Sequence, residues 1–398
     1  MRAAYFTGLY PRATDTFIQI EVTGLRALGV EVDTFSVREP GDEHIVGPEQ
    51  STEKAQTFYL LSASPLAFLT AHVWLLVRSP LRYLRGLKLA LSTSQPGIKG
   101  LIYQLIYFIE AGLLAREICK RQISHLHNHI ANSNCTVAML ASALGEFSFS
   151  FTMHGPHIFF EPMRWRLDEK IRRAKFVACI SYFCRSQGLI FVRPEHWEKM
   201  PIIRCGVNLD LFQPTAYEQQ KGNRLLYVGR LAVEKGLPVV LESLKDLAAK
   251  YPDITLTIIG DGADRHFLED LTEQMALTDH VEFVGYQSQS SVRDYLSQTD
   301  IFVLPSFAEG IPVVLMESMA MGVPVVATQI AGISELVESG KNGYLVPPGN
   351  SPALTGAVDQ LINDPDLRAT LGKAGRHKVE QHFNIAHSLT ELKAWLTS

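Results

Sequence analysis

Short β-branched runs alternate with helix-length stretches along all 398 residues, and this alternation most constrains the fold. A strand that returns to its neighbour through a helix makes a parallel sheet with helices on both faces. MRAAYFT, VEVDTFSV, ISHLHNH, FSFSFTMH and AKFVACIS read as strands of a first half. NRLLYVGR, ITLTIIG, VEFVG, IFVLPS, VPVVAT and GYLVPP read as strands of a second. The length supports two domains with separate cores. The expected division is a first domain over 1–205, a polar linker over 206–222 and a second domain over 223–380. A helix over 381–398 could pack back on the first domain. The expected class is α/β: two Rossmann-like, doubly wound parallel-sheet domains with a crevice at the carboxyl ends of their strands. Residues 40–55 read as a polar loop.

Five cysteines (119, 135, 179, 184 and 205), with no C-x-x-C pair, fit reduced thiols in a cytoplasmic protein and argue against a structural zinc site. The N-terminus lacks the apolar core of a signal peptide. Net charge is −4, and no nucleic-acid partner is expected. The charge is unevenly placed: 23 basic against 17 acidic residues in 1–205, and 14 against 24 in 206–398. A basic first half suits an anionic substrate or a membrane surface.

Ala55 to Val77 is uncharged, but Pro65 interrupts it and Ser62, Ser64, Thr70 and His72 dilute it. It reads as an interfacial or core helix rather than a span. No acidic residue occurs from Lys54 to Ile109. Arg78, Arg82 and Arg85 are spaced to share one helical face among leucines. Two readings stand: a basic amphipathic segment on an anionic membrane, peripheral to its cytoplasmic face, or a helix packed on the first sheet.

Three motifs in the second half carry chemistry. In FAEGIPVVLMESMAMG, Glu309 follows a strand and Pro312 is placed to open a helix. Glu317 sits one turn inside, among Val313, Val314, Leu315, Met316, Met319 and Met321. A carboxylate in such company needs a partner, and a ribose diol offers two hydroxyl donors to it. The backbone N–H groups of Gly310, Ile311 and Val313 suit phosphate or sugar oxygens. In GRLAVEKG, Arg230 and Lys235 could meet a diphosphate and neutralise charge on a leaving group. In IIGDG, Gly260 and Gly262 begin a dinucleotide fingerprint, but Arg265 replaces its third glycine, which excludes a nicotinamide site. Gly285 ends the next strand and joins the candidate donor contacts.

In the first half, His154 ends a strand and could contact a sugar hydroxyl. His125, His127 and His129 share one strand face; a metal site is the less favoured reading and a polar site wall the favoured one. Thr14 or Asp15 could cap the first helix. Gly8, Arg12, Asp15, His127 and Asn132 are the acceptor candidates.

Glu309-x7-Glu317, the Gly229-Arg230…Lys235-Gly236 turn and His154 together resemble glycosyltransferase family 4. NLDLFQP over 208–214 is similar to that family's segment before the linker. The YPRATDTFI loop and HLHNHIANSNCTVAMLAS resemble the branch that builds bacterial exopolysaccharides of the colanic-acid type. The resemblance implies a GT-B fold and retaining hexosyl transfer from a UDP- or GDP-sugar to a glycan or lipid-linked acceptor. It implies diphosphate contacts for Arg230 and Lys235, sugar-hydroxyl contacts for Glu309, ribose contacts for Glu317 and a reaction-centre contact for His154. No cofactor or metal is implied, since two cations supply the charge. One departure is the first loop: Gly8-Leu9-Tyr10-Pro11 stands where many relatives carry a Gly-Gly pair.

Overall fold

The computed structural model describes residues 1–12, 15–45, 47–155, 157–214 and 222–398. The chain forms two compact units, one of Met1–Ile203 with Leu389–Ser398, the other of Arg204–Ser388.

The first unit holds a six-stranded parallel sheet. Its strands are β1 (Arg2–Leu9), β2 (Glu31–Arg38), β3 (Phe58–Tyr59), β4 (His125–His129), β5 (Ser148–Met153) and β6 (Val177–Cys179). Their spatial order is β3-β2-β1-β4-β5-β6. The second unit holds β7 (Arg224–Val228), β8 (Thr255–Ile259), β9 (Val281–Gly285), β10 (Ile301–Leu304), β11 (Val325–Thr328) and β12 (Tyr344–Val346), in the order β12-β11-β10-β7-β8-β9. Both orders are the doubly wound one. The strand order reverses between β1 and β4 in one sheet and between β7 and β10 in the other. At such a switch point the flanking loops diverge to opposite faces and leave a ligand-sized gap. β10 and β11 are buried at every position, and their near-continuous apolar runs follow from helices covering both faces.

Several expectations change. Residues 40–55 are not all loop: Pro48–Gln56 is a helix, with Pro48 in its first turn. It is held by its buried Glu53, which pairs with Arg26 and accepts from Tyr10. Ser79 and Pro80 break the basic segment into two helices, Pro65–Arg78 and Pro80–Ser92, because proline cannot continue the first. Arg78, Arg82 and Arg85 therefore do not share one helical face. Arg78 and Arg82 turn toward Glu146, at 3.9 and 3.5 Å. Residues 206–214 belong to the second unit, with Phe212 fully buried in its core. The rest of the expected linker, 215–221, lies outside the described residues, as does Thr14. The end of helix Ile385–Thr397 belongs to the first unit: Trp395 packs 5.5 Å from Phe176, and Lys393 Nζ donates to the Leu28 carbonyl.

Candidate active site

In the second unit, the loops after β7, β8 and β10 meet in backbone contact, and glycine makes this possible. A Cβ on Gly260 would lie 1.9 Å from the Gly229 carbonyl oxygen, and one on Gly262 2.2 Å from that of Leu231. A Cβ on Gly236 would lie 2.3 Å from the Pro305 carbonyl oxygen. Gly260 also has φ of 131°, a conformation that side-chain-bearing residues avoid. Its N–H donates to the Gly285 carbonyl at 2.8 Å, tying in β9.

The switch point gathers the charged candidates. Glu309, 8% exposed, lies just past β10, and Lys235 lies in the turn past β7. Lys235 Nζ donates to Glu309 Oε1 at 2.6 Å, and Ser306 Oγ donates to the same oxygen at 2.8 Å. Arg230 pairs with Glu234, four residues along the same connection. The Phe307 N–H donates to the Glu234 carbonyl at 2.8 Å, locking the two loops together. The buried Tyr227 hydroxyl donates to the Arg230 carbonyl at 3.2 Å. Pro312 is the N-cap of helix Val313–Ala320, and no side chain caps that end. Ile311 and Pro312 are buried, whereas Gly310 and Val313 are half-buried.

Glu317 is 6% exposed and forms a separate cluster. Gln289 Nε2 donates to its Oε1 at 3.2 Å. Burial pushes its carboxyl up to about 7, opposed by the Gln289 hydrogen bond and the charge of Arg293. Neither partner was identified from the sequence. Both sit on or near the start of helix Gln289–Ser297, four residues apart on one face, and a Gln-x-x-x-Arg pair after a strand-ending glycine was the available signal. Arg265, the departure from the dinucleotide fingerprint, pairs with Asp261 and Glu269.

In the first unit, β4 and β5 run in register, so His125, His127 and His129 lie opposite Ser148, Ser150 and Thr152. His127 Nδ1 shares a hydrogen bond with Ser150 Oγ at 2.7 Å and Nε2 one with Thr152 Oγ1 at 2.8 Å. It is fully buried, and burial holds its pKa well below the usual value. This corrects its assignment to the acceptor site: both ring nitrogens are taken by a cross-strand ladder. His125 is likewise bonded to Ser148 and Ser150.

His129 is different. Its Nε2 lies 3.1 Å from Glu21 Oε1 and its Nδ1 2.9 Å from His154 Nε2. His129 therefore bridges the Glu21 carboxylate and the His154 ring through its two nitrogens. Tyr5 completes the chain, its hydroxyl donating to Glu21 at 2.6 Å. The His154 ring packs 4.6 Å from Phe17, and burial holds its pKa well below 6.5. Glu21 had no place among the sequence candidates, and His129 entered only with His125 and His127 as part of a polar strand face. Ligand atoms of Glu21, His127 and His129 lie within 4.8 Å of one another, but an ion there would displace the hydroxyl bonds of His127.

The other acceptor candidates serve local structure. Asp15 stands at the N-cap of helix Thr16–Ala27 without a side-chain capping bond, and pairs with Arg12 at 3.4 Å. Asn132 caps helix Ser133–Leu144, and its carbonyl accepts from Lys170 Nζ at 2.7 Å. Gly8 lies at the end of β1 near Asn134.

Comparison with known proteins gives these units a context. Residues 212–378 match the sequence profile of the family Glycosyl transferases group 1. The chain is 36% identical over 197 residues to the colanic acid biosynthesis glycosyltransferase WcaL of Escherichia coli, covering 47% of this chain and 48% of WcaL. It is 31% identical over 290 residues to the glycosyltransferase EpsD of Bacillus subtilis, covering 68% of this chain and 74% of EpsD. The first curated relatives it matches are spanned over less than half their length. Among solved structures, HepE from Anabaena, in complex with UDP-glucose, superposes with a TM-score of 0.74 at 16% identity, covering 99% of each chain. The fold is therefore GT-B, each unit supplying one of its Rossmann-like domains. By sequence and by fold, the chain belongs to the group 1 glycosyl transferases.

Proposed function

We propose that this chain transfers a hexose, with retention of anomeric configuration, from a UDP- or GDP-sugar to a glycan or lipid-linked acceptor in bacterial cell-surface polysaccharide synthesis. The observation that carries this reading is the Lys235–Glu309 pair at the β7/β10 switch point, with Arg230 in the same connection as Lys235 and the buried Glu317 in the helix that follows Glu309. Cations and a carboxylate there match a diphosphate joined to a polyhydroxylated ring. The similarity to WcaL supports the polysaccharide assignment.

In this reading, Lys235 and Arg230 hold the diphosphate and stabilise charge as the bond from the anomeric carbon to the diphosphate oxygen breaks. Glu309, released from Lys235, takes sugar hydroxyls, and Glu317 takes the ribose diol. His154 contacts the sugar near the reaction centre. The acceptor oxygen bonds to the anomeric carbon on the face the diphosphate leaves, and its proton passes to the departing diphosphate oxygen. With two side-chain cations in place, no divalent metal is required.

The test is transfer from UDP- and GDP-sugars to lipid-linked acceptors, with NMR of the anomeric proton in the product. A product of unchanged configuration, with nucleotide release that depends on acceptor and persists in EDTA, is expected. Inversion, or equal nucleotide release without acceptor, would overturn the proposal, the latter pointing to a hydrolase or epimerase. Lys235→Ala should lower kcat by about 10²–10³-fold and weaken donor binding as well.

A further inference from the structure

The first unit carries a surface that sugar transfer does not explain. Among the described residues, 16 of the 27 large hydrophobics with exposed side chains fall between residues 61 and 109. Helix Pro65–Arg78 exposes Leu66, Leu69 and Val73 at a spacing that makes one stripe, and helix Ile98–Lys120 exposes Ile98, Ile102 and Ile109 along another. The two helices lie side by side, joined by a His72 Nε2 hydrogen bond to the Ile109 carbonyl (3.1 Å) and by an Arg116 donation to Thr70 Oγ1 (3.2 Å). Helix Ile98–Lys120 is long and apolar enough to cross a bilayer. Its second half, however, is built into the core through Ala111, Leu113, Leu114, Ala115 and Ile118. Only its first half is open to another phase.

We infer that the solvent face of these two helices docks on the surface of an anionic lipid bilayer. Soluble monomers rarely leave so concentrated an apolar surface exposed. The charges on this stretch of chain choose the occupant. Residues 55–109 carry Arg78, Arg82, Arg85, Lys88 and Lys99 and no acid, in a chain of net charge −4. Arg85, Lys88 and Lys99 are exposed and make no ion pair among the described residues. A second copy would bring the same cations against themselves across a two-fold interface. The stripes are aliphatic, whereas protein-binding hot spots favour Trp, Tyr and Arg. Aliphatic side chains at the acyl boundary with cations among the headgroups satisfy both features. Apolar insertion carries the binding and the cations select the lipid, which differs from attachment through a single arginine face.

The full chain should co-sediment with phosphatidylglycerol-containing vesicles, at least about tenfold more than with phosphatidylcholine alone. Ile102→Glu with Ile106→Glu, both at exposed positions, should cut sedimentation at least about tenfold while leaving the melting temperature and UDP- or GDP-sugar binding unchanged. Arg85→Gln with Lys88→Gln should erase the lipid preference before the binding. Wild-type protein left in the supernatant with anionic vesicles would overturn the inference. So would a lipid-free dimer, seen by sedimentation velocity, that the isoleucine variant splits. Sedimentation reads no sugar transfer, so its failure is distinguishable from failure of the transferase assignment.

Discussion

Replacing Glu317 by glutamine separates the cost of its buried carboxyl from its use. The side chain keeps its shape in a helix whose neighbours Leu315, Met316 and Met319 are fully buried. In the folded chain burial raises the carboxyl from 4.5 to about 7, which corresponds to roughly 3 kcal/mol. A raised carboxyl pKa means that the folded state holds its proton longer than the unfolded state. Stability is therefore undiminished below pH 4.5, falls as pH climbs toward 7, and stays reduced above it. Glu317→Gln removes that loss, so the ligand-free variant should be more stable at pH 8 by about 1–3 kcal/mol, the lower end allowing for a poorer bond to Gln289. At about 2–4 °C per kcal/mol for a unit of this size, Tm should rise by several degrees at pH 8 and hardly at all at pH 5. Donor binding should move the opposite way. Exchanging a charged acceptor for an amide should weaken a UDP- or GDP-sugar by about 10–100-fold. In the wild type, affinity should grow about tenfold from pH 6 to pH 8 as the carboxylate forms, and in the variant it should stay flat. Scanning fluorimetry across pH with calorimetric donor titrations measures both. Equal Tm shifts at pH 5 and pH 8, or wild-type affinity indifferent to pH, would refute the reasoning.

The remaining predictions concern the other supports of the site. Glu21→Ala should unseat His129 and through it His154, lowering kcat about tenfold or more with little change in donor KM. Glu21→Gln keeps a hydrogen-bonding partner for His129 Nε2 and should restore most of the loss, and side-chain ¹⁵N spectra should report the His154 tautomer in each. Gly260→Ala forces a Cβ to 1.9 Å from the Gly229 carbonyl oxygen at a φ of 131°, and should cost about 3 kcal/mol or more, read as a lower Tm or loss of soluble protein.

The alternating pattern and the strand-end motifs were legible in the sequence because they are local. Strand Ile301–Leu304, Glu309 and helix Val313–Ala320 lie in one continuous stretch, and Pro312 marks the turn between them. The turn Gly229 to Gly236 between a strand and a helix was legible for the same reason. Where a short stretch lacked strong periodicity, the reading failed: Pro48–Gln56 is helical because Glu53 finds Arg26 and Tyr10, 27 and 43 residues away.

What the sequence determined alone was the doubly wound class and the chemical types at its loop ends, since hydrophobic period, glycine and proline act within a few residues. Which side chains meet was decided by the tertiary structure. Parallel sheets join strands distant in sequence, so Lys235 reaches Glu309 across 74 positions and Glu21 reaches His129 across 108. Packing likewise decided that His127 is a rung of a buried ladder while His129 links Glu21 to His154, though the two histidines stand two residues apart on one strand. A side chain's hydrogen-bonding partners depend on what the fold brings opposite it, and local spacing carries no record of that.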